Sequence, residues 1–152
     1  MLSKNERDIL DCLQQEGRLS NVELAKKIGL SESPCLRKTR HLENAGIIKG
    51  YRAVVDPKGA GCNISAVILV NLDQRSEATS DAFYSAISDE VRITECLAVA
   101  GSADLILRVM ARDIDDLNEL TFNGLLRHPS VKDINTCVVL KDIKAQSPIP
   151  VF

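Results

Sequence analysis

Arg37, Lys38, Arg40 and His41 fall within five consecutive positions, and Lys49 and Arg52 follow soon after. From residue 35 to residue 52 the chain carries five Lys or Arg side chains against one acid, Glu43. Cations at this density can neutralise phosphates, and Arg or Lys on a helix can also read the edge of a guanine. The stretch stands out because the 152-residue chain as a whole is acidic, with net charge −2. Residues 1–60 carry 11 Lys and Arg against 8 Asp and Glu, whereas residues 61–152 carry 8 against 13. A locally basic segment on an acidic protein is the footprint of a polyanion partner; the plain alternative is a solvated helix face.

Catalytic and metal chemistry find little footing. The two histidines are His41, inside the basic stretch, and His128, which precedes Pro129 at a helix end and is expected to cap carbonyls there. No Ser/His/Asp set, phosphate-cradling glycine loop or His-Glu-x-x-His motif is present. The five cysteines (Cys12, Cys35, Cys62, Cys96 and Cys137) include no Cys-x-x-Cys pair, which favours reduced thiols over disulfides or structural zinc. Cys35 and His41, six apart on one helix, point to different faces and cannot share a metal. The reading is therefore no catalytic residue, no metal and no cofactor. No apolar run approaches the ~20 residues that span a bilayer, and the start lacks a signal-peptide core. A cytoplasmic, nucleoid-associated chain without a membrane partner is expected.

The basic residues need elements to hold them, and helix signals surround them. Ser3-Lys4-Asn5-Glu6 and Ser20-Asn21-Val22-Glu23 both fit a capping box, in which a serine and a glutamate satisfy each other's backbone donors. Ile9, Leu10 and Leu13 form the apolar stripe of the first helix, which Gly17 stops; Leu24, Ala25 and Ile28 form that of the second, stopped by Gly29. A third helix starts near Ser31 or Ser33, with Pro34 in its first turn, and runs to Ala45-Gly46. Joining the second and third helices through Gly29-Leu30-Ser31 alone forces a steep crossing, that of a helix-turn-helix.

At ~100° per residue, Cys35, Leu36, Thr39 and Leu42 gather on a core side of the third helix. Pro34, Arg37, Lys38 and His41 gather opposite, with Arg40 on the flank. A DNA-binding set follows, for double-stranded DNA: Asn21, Ser31, Ser33, Pro34, Arg37, Lys38, Arg40 and His41. Ile47–Val55 is short and β-prone, so Lys49 and Arg52 lie either on a small wing that touches phosphate or on a strand leading into the linker.

The pattern changes after the turn-rich Asp56-Pro57-Lys58-Gly59-Ala60-Gly61. The expected organisation is a DNA-binding domain over 1–55, a linker over 56–61, a second domain over 62–144 and an extended tail over 145–152. Strands are expected at 64–72, 91–100, 105–111 and 131–143, with helices at 77–88 and at 114–126, the latter capped by Asp113. The order βαββαβ is that of a ferredoxin-like unit, so the whole is α+β. Strand residues are apolar in both phases, for example Leu105, Leu107 and Val109 against Ile106 and Met110. A sheet apolar on both faces needs both covered, and a second copy of the chain is the expected cover.

These segments resemble the Lrp/AsnC family of leucine-responsive and asparagine-type regulators. The similarity rests on Gly17-Arg18-Leu19-Ser20-Asn21-Val22-Glu23-Leu24-Ala25, Ile28-Gly29-Leu30-Ser31, Ser33-Pro34-Cys35-Leu36-Arg37, Leu42-Glu43-Asn44-Ala45-Gly46-Ile47-Ile48 and Val138-Val139-Leu140-Lys141-Asp142-Ile143-Lys144. The resemblance implies a winged helix-turn-helix, a dimer often assembled further into tetramers, octamers or hexadecamers, and regulation of amino-acid-related metabolism. It also implies an amino-acid effector held between dimers at the turn joining the second and third sheet strands.

In many members that turn reads Gly-Asp-x-Asp; here it is Gly101-Ser102-Ala103-Asp104, with serine for the first aspartate and alanine for the usual aromatic. The effector set is Leu97, Val99, Gly101, Ser102, Ala103, Asp104, Asn135 and Thr136. Turn backbone N–H groups can hold an α-carboxylate, and equally Gly101 and Asp104 suit a bare β-turn. An effector-independent DNA-organising protein is the alternative, and a small enzyme on a ferredoxin-like fold a more distant one.

Overall fold

The computed structural model describes residues 1–73, 77–144 and 147–152. Two compact units result: Met1–Val54 together with Ile143–Phe152, and Val55–Asp142. Of the segment read as a tail, Ala145 and Gln146 lie outside the described residues.

In the first unit, helices α1 (Lys4–Gln15), α2 (Asn21–Ile28) and α3 (Glu32–Asn44) start where the capping residues place them. The Glu6 carboxylate accepts from the Ser3 N–H at 2.7 Å and from its hydroxyl at 2.6 Å. Glu23 does the same at Ser20, at 2.8 and 2.7 Å, while the Glu23 N–H donates back to Ser20 Oγ. Gly29 ends α2 in the left-handed region (φ 68°), where a side chain would be strained, and so allows the tight turn into α3. Ile9, Leu24, Ala25, Cys35 and Leu42 close the core. A methyl group at position 25 lets α2 approach closely enough for Cys35 and Leu42 to lose contact with water.

Two expectations for this unit need correction. Leu36, expected in the core, is 39% exposed, because α1 and α2 pack on the side of α3 that carries Cys35 and Leu42. No strand forms over Ile47–Val55 among the described residues; a strand needs a ladder partner, and none is offered to it there. In the segment read as an extended tail, the Ile149 N–H donates to Gln14 Oε1 at 2.8 Å and its carbonyl accepts from Gln14 Nε2 at 3.1 Å.

In the second unit, strands β1 (Ile64–Leu72), β2 (Ile93–Ala98), β3 (Leu105–Ala111) and β4 (Val131–Val138) form an antiparallel sheet in the order β2-β3-β1-β4. Helices α4 (Glu77–Asp89) and α5 (Ile114–Asn118) provide Phe83, Ile87 and Leu117, which bury Ala66, Ile68, Val70, Leu105, Leu107 and Val109. This is the ferredoxin-like arrangement of four antiparallel strands. Asp113 caps α5, its carboxylate accepting from the Asp116 N–H at 2.8 Å.

The second helix departs from regularity. After Asn118 it widens into a π-helical turn over Glu119–Gly124 and tightens into a 3-10 turn over Leu125–Arg127. β4 stops at Val138 instead of running to 143, because β1 begins at Ile64; the Val139 N–H finds the Ser65 carbonyl and nothing continues the ladder. The opposite face of the sheet, with Val67, Leu69 and Ile106 half-buried and Leu97 exposed, is not covered by the helices.

Candidate nucleic-acid interface and effector turn

With α1 and α2 packed on one side of α3, the other long face of α3 stands in solvent. Ser33, Leu36, Arg37, Arg40, His41 and Asn44 line a shallow depression there of about 460 Å³. Their spacing of three and four residues is one stripe of a helix. Arg37 and Arg40 form no ion pair among the described residues, so both guanidinium groups keep their donors for an external partner. Arg40 therefore sits in the middle of the stripe and not on its flank. Lys38 lies to the side: its Nζ donates to Ser3 Oγ at 3.5 Å and it neighbours Glu6 at the start of α1. The Ser3 hydroxyl and N–H, together with Lys38 and His41, hold the Glu6 carboxyl below the usual carboxylate range.

The remaining residues expected at this surface stand elsewhere in the unit. Asn21 Nδ2 donates to the Glu32 carbonyl at 3.0 Å, tying the start of α2 to the start of α3. Ser31 is the N-cap residue of α3, and its carbonyl accepts from the Cys35 N–H at 3.2 Å. Pro34 is half-buried in the first turn. Lys49 and Arg52 are exposed beyond the helix, on either side of Tyr51. The Tyr51 hydroxyl donates to Glu43 Oε1 at 2.9 Å, and desolvation followed by that carboxylate pushes its pKa up to about 12. Tyr51 thus occupies the single acid of the basic stretch and fixes the chain between the two cations. Sequence reasoning missed it because an isolated tyrosine carries no periodic signal.

The turn Gly101–Asp104 is built from inside the sheet. Asp104 Oδ2 accepts from the Leu72 N–H at 2.7 Å, the Asp104 N–H donates to the Val70 carbonyl at 3.0 Å, and the Val99 N–H donates to the Asp104 carbonyl at 3.0 Å. Asp104 is thereby committed to the end of β1, and Ala103 is buried beside it. Gly101 and Ser102 are exposed, and a Cβ added at Gly101 would meet nothing within 4 Å. Nothing in the single chain therefore demands glycine at 101.

Of the other residues expected around an effector, Val99 adjoins the turn through its bond to Asp104, whereas Leu97, Asn135 and Thr136 lie out along the strands. The register sets Leu97, Ile106, Leu69 and Asn135 in one row across the open face, with Leu97 and Asn135 on opposite edge strands. Thr136 points to the helix-covered face, where it lines a separate hollow of about 340 Å³ with Phe122 and Leu126. Among the described residues, the hollow lined by Thr136 includes none of the others in the set. His128 also differs from expectation. It caps no carbonyl with its ring; Nδ1 accepts from the Ser130 N–H at 3.2 Å, and the ring packs on Phe83 at 4.8 Å.

Comparison with known proteins agrees with this geometry. The family model described as the Lrp/AsnC ligand binding domain matches residues 65–149, and one described as winged helix-turn-helix DNA-binding matches residues 2–49. The chain is 33% identical over 151 residues to the transcriptional regulator AzlB of Bacillus subtilis, covering 99% of this chain and 96% of that one. It is 36% identical over 143 residues to the leucine-responsive regulatory protein of Escherichia coli K12, covering 94% and 87%. Among solved structures, the regulator NMB0573 of Neisseria meningitidis, in complex with L-methionine, superposes with a TM-score of 0.95 at 33% identity over 99% of this chain and 97% of that one. Escherichia coli AsnC gives 0.85 at 25% identity, with 97% of each chain covered. With a helix-turn-helix that presents unpaired arginines and a ferredoxin-like sheet behind a glycine-led turn, the chain belongs to the Lrp/AsnC family of DNA-binding transcription regulators.

Proposed function

We propose that this protein is a sequence-specific, oligomeric regulator of amino-acid-related metabolism, switched by an amino acid bound between copies of the chain. Residues 1–55 serve as the DNA-binding domain and 62–144 as the sensing and oligomerising domain. The observation that carries the DNA half is the stripe of Ser33, Arg37, Arg40 and His41 on the free face of α3, with no internal acid on either arginine among the described residues. Ser33 and the arginines face the groove; Lys49 and Arg52 sit on backbone phosphate; Lys38 supports α1. A cytoplasmic, nucleoid-associated location goes with that role, and among the described residues no helix is long and apolar enough to cross a membrane.

Replacing Arg37 and Arg40 together by alanine tests this reading. Loss of affinity for a specific duplex by about tenfold or more is expected, with the oligomer mass unchanged. Affinity of the unaltered protein should fall steeply as salt rises, through counterion release. Undiminished gel shifts for the double variant would remove α3 from the interface.

The effector half draws on the L-methionine complex of the Neisseria regulator and on the turn's own construction. Exposed backbone at Gly101 and Ser102, with open space where a side chain would stand, suits an α-carboxylate or ammonium from a small amino acid. The scattering of Leu97, Asn135 and Thr136 over both faces supports a site completed by a second copy. An effector-independent organiser of DNA is the rival reading, favoured by the serine and alanine inside the turn. Thermal-shift assays with the twenty amino acids separate the two. A midpoint raised by one or a few of them, and lost on Gly101→Val, supports the switch. No shift at any concentration supports the organiser.

A further inference from the structure

Leu36 is a large apolar side chain, 39% exposed, in a depression whose other lining residues are Ser33, Arg37, Arg40, His41 and Asn44. None of the other residues lining that depression is apolar, so Leu36 is the one hydrophobic side chain on that stretch of cationic and polar surface. It stands five residues into α3, in the N-terminal half of the helix that follows the tight turn. In a helix-turn-helix that half enters the major groove and meets base edges. The one apolar group on any base edge there is the C5 methyl of thymine. A solvated leucine at that place loses burial in the free protein, and a groove that presents a methyl returns it.

Resting on the reading of α3 as the recognition helix, we infer that Leu36 is a specificity-determining residue that packs on the C5 methyl of a thymine. Arg37 and Arg40, one and four positions further along the same stripe, hold the flanking phosphates or a neighbouring guanine edge. Leu36 contributes shape and methyl recognition, while the arginines contribute charge. The two contributions separate experimentally, because the methyl contact carries no salt dependence of its own.

The test uses the full-length protein and a duplex selected with it from a random pool. Each thymine of that duplex is replaced in turn by deoxyuridine, which removes the methyl and leaves every hydrogen-bonding group in place. Affinity should fall about fourfold at one thymine per recognition helix, the value of one buried methyl, and stay level elsewhere. Leu36→Ala should bind the thymine duplex more weakly and no longer distinguish thymine from uracil at that position, with an unchanged salt slope. Leu36→Met, which keeps an apolar side chain of similar reach, should retain the distinction. The inference is overturned if no single deoxyuridine weakens binding, or if Leu36→Ala keeps the full preference for thymine. It is also overturned if the leucine variants change oligomer mass, which would make Leu36 a contact between copies. Failure to enrich any duplex, or binding indifferent to salt, would instead sink the recognition-helix reading on which it stands.

Discussion

Asp116 shows how much one side chain can hold in place. Its side chain is 7% exposed, and it accepts from Arg92 Nη1 at 3.0 Å, from Arg112 Nη2 at 3.1 Å and from the Arg112 N–H at 2.9 Å. Arg92 also reaches Glu90 at 2.7 Å and contacts Glu119, so the entry to β2, the exit of β3 and the start of the second helix are joined through one carboxylate. Buried charges are tolerated only when paired like this, and removing one member leaves the others unpaired. The hydrogen bonds from Arg112, first its side chain and then its backbone, hold Asp116 well below the usual carboxylate range. Glu90 is likewise lowered, chiefly by Arg92.

A folded-state pKa below the unfolded one means that the network's stabilisation is complete above about pH 4, the ordinary carboxylate value, and is lost as pH falls through the folded value. Asp116→Asn should therefore lower the thermal midpoint by several degrees at pH 7, and the gap to the unaltered protein should narrow below about pH 4. A gap that is constant with pH in urea melts would mean that Asp116 acts through packing alone.

At the scale of elements, local chemistry was legible where local chemistry decides. Ser3, Ser20 and Asp113 mark helix starts because a short polar side chain supplies an acceptor that the first turn lacks, and all three stand at N-caps. Gly29 marks a turn that only glycine enters easily, and it has φ 68°. β1 and β3 were legible to the residue because their alternation is enforced on one face by the helices. The failures have a common cause: in each, a neighbour outside the segment settles the outcome. Leu36 and Leu42 are both leucines of one helix, and the side on which α1 and α2 pack decides which is buried. Ile47–Val55 has strand composition without a partner in the described chain. The period of 114–126 reads as a regular α-helix, yet the backbone widens into a π-turn at Glu119–Gly124, where Thr121 Oγ1 donates to the Leu117 carbonyl at 3.0 Å. Gly101 and Asp104 could be picked out as turn residues, whereas the opposite facing of Asn135 and Thr136 follows from strand register.

For the whole molecule, the uncovered face of the sheet carries the largest consequence. Val67, Leu69 and Ile106 stand together on it, each half-buried, with Leu97 and Asn135 at its edges. Interfaces that hold proteins together bury about 1,600 Å², and a face of three to four strands is of that order once paired with a second copy. A pair of chains carries two recognition helices, and duplex half-sites read by such pairs lie about 34 Å apart. Binding by two linked helices gains from the high effective concentration of the second once the first is seated. Ile106→Glu places a charge at the centre of that face, directly between Leu69 and Leu97, where a dimer would have to desolvate it. Its outward position leaves the opposite, helix-covered face untouched, so the monomer should keep its far-ultraviolet spectrum and much of its thermal stability. Sedimentation should show the mass falling to that of a single chain, and affinity for the selected duplex should drop by about a hundredfold, the lower end of what linkage confers. A variant that remained dimeric, or a monomer that bound DNA undiminished, would show that the sheet face does not hold the pair of recognition helices in register.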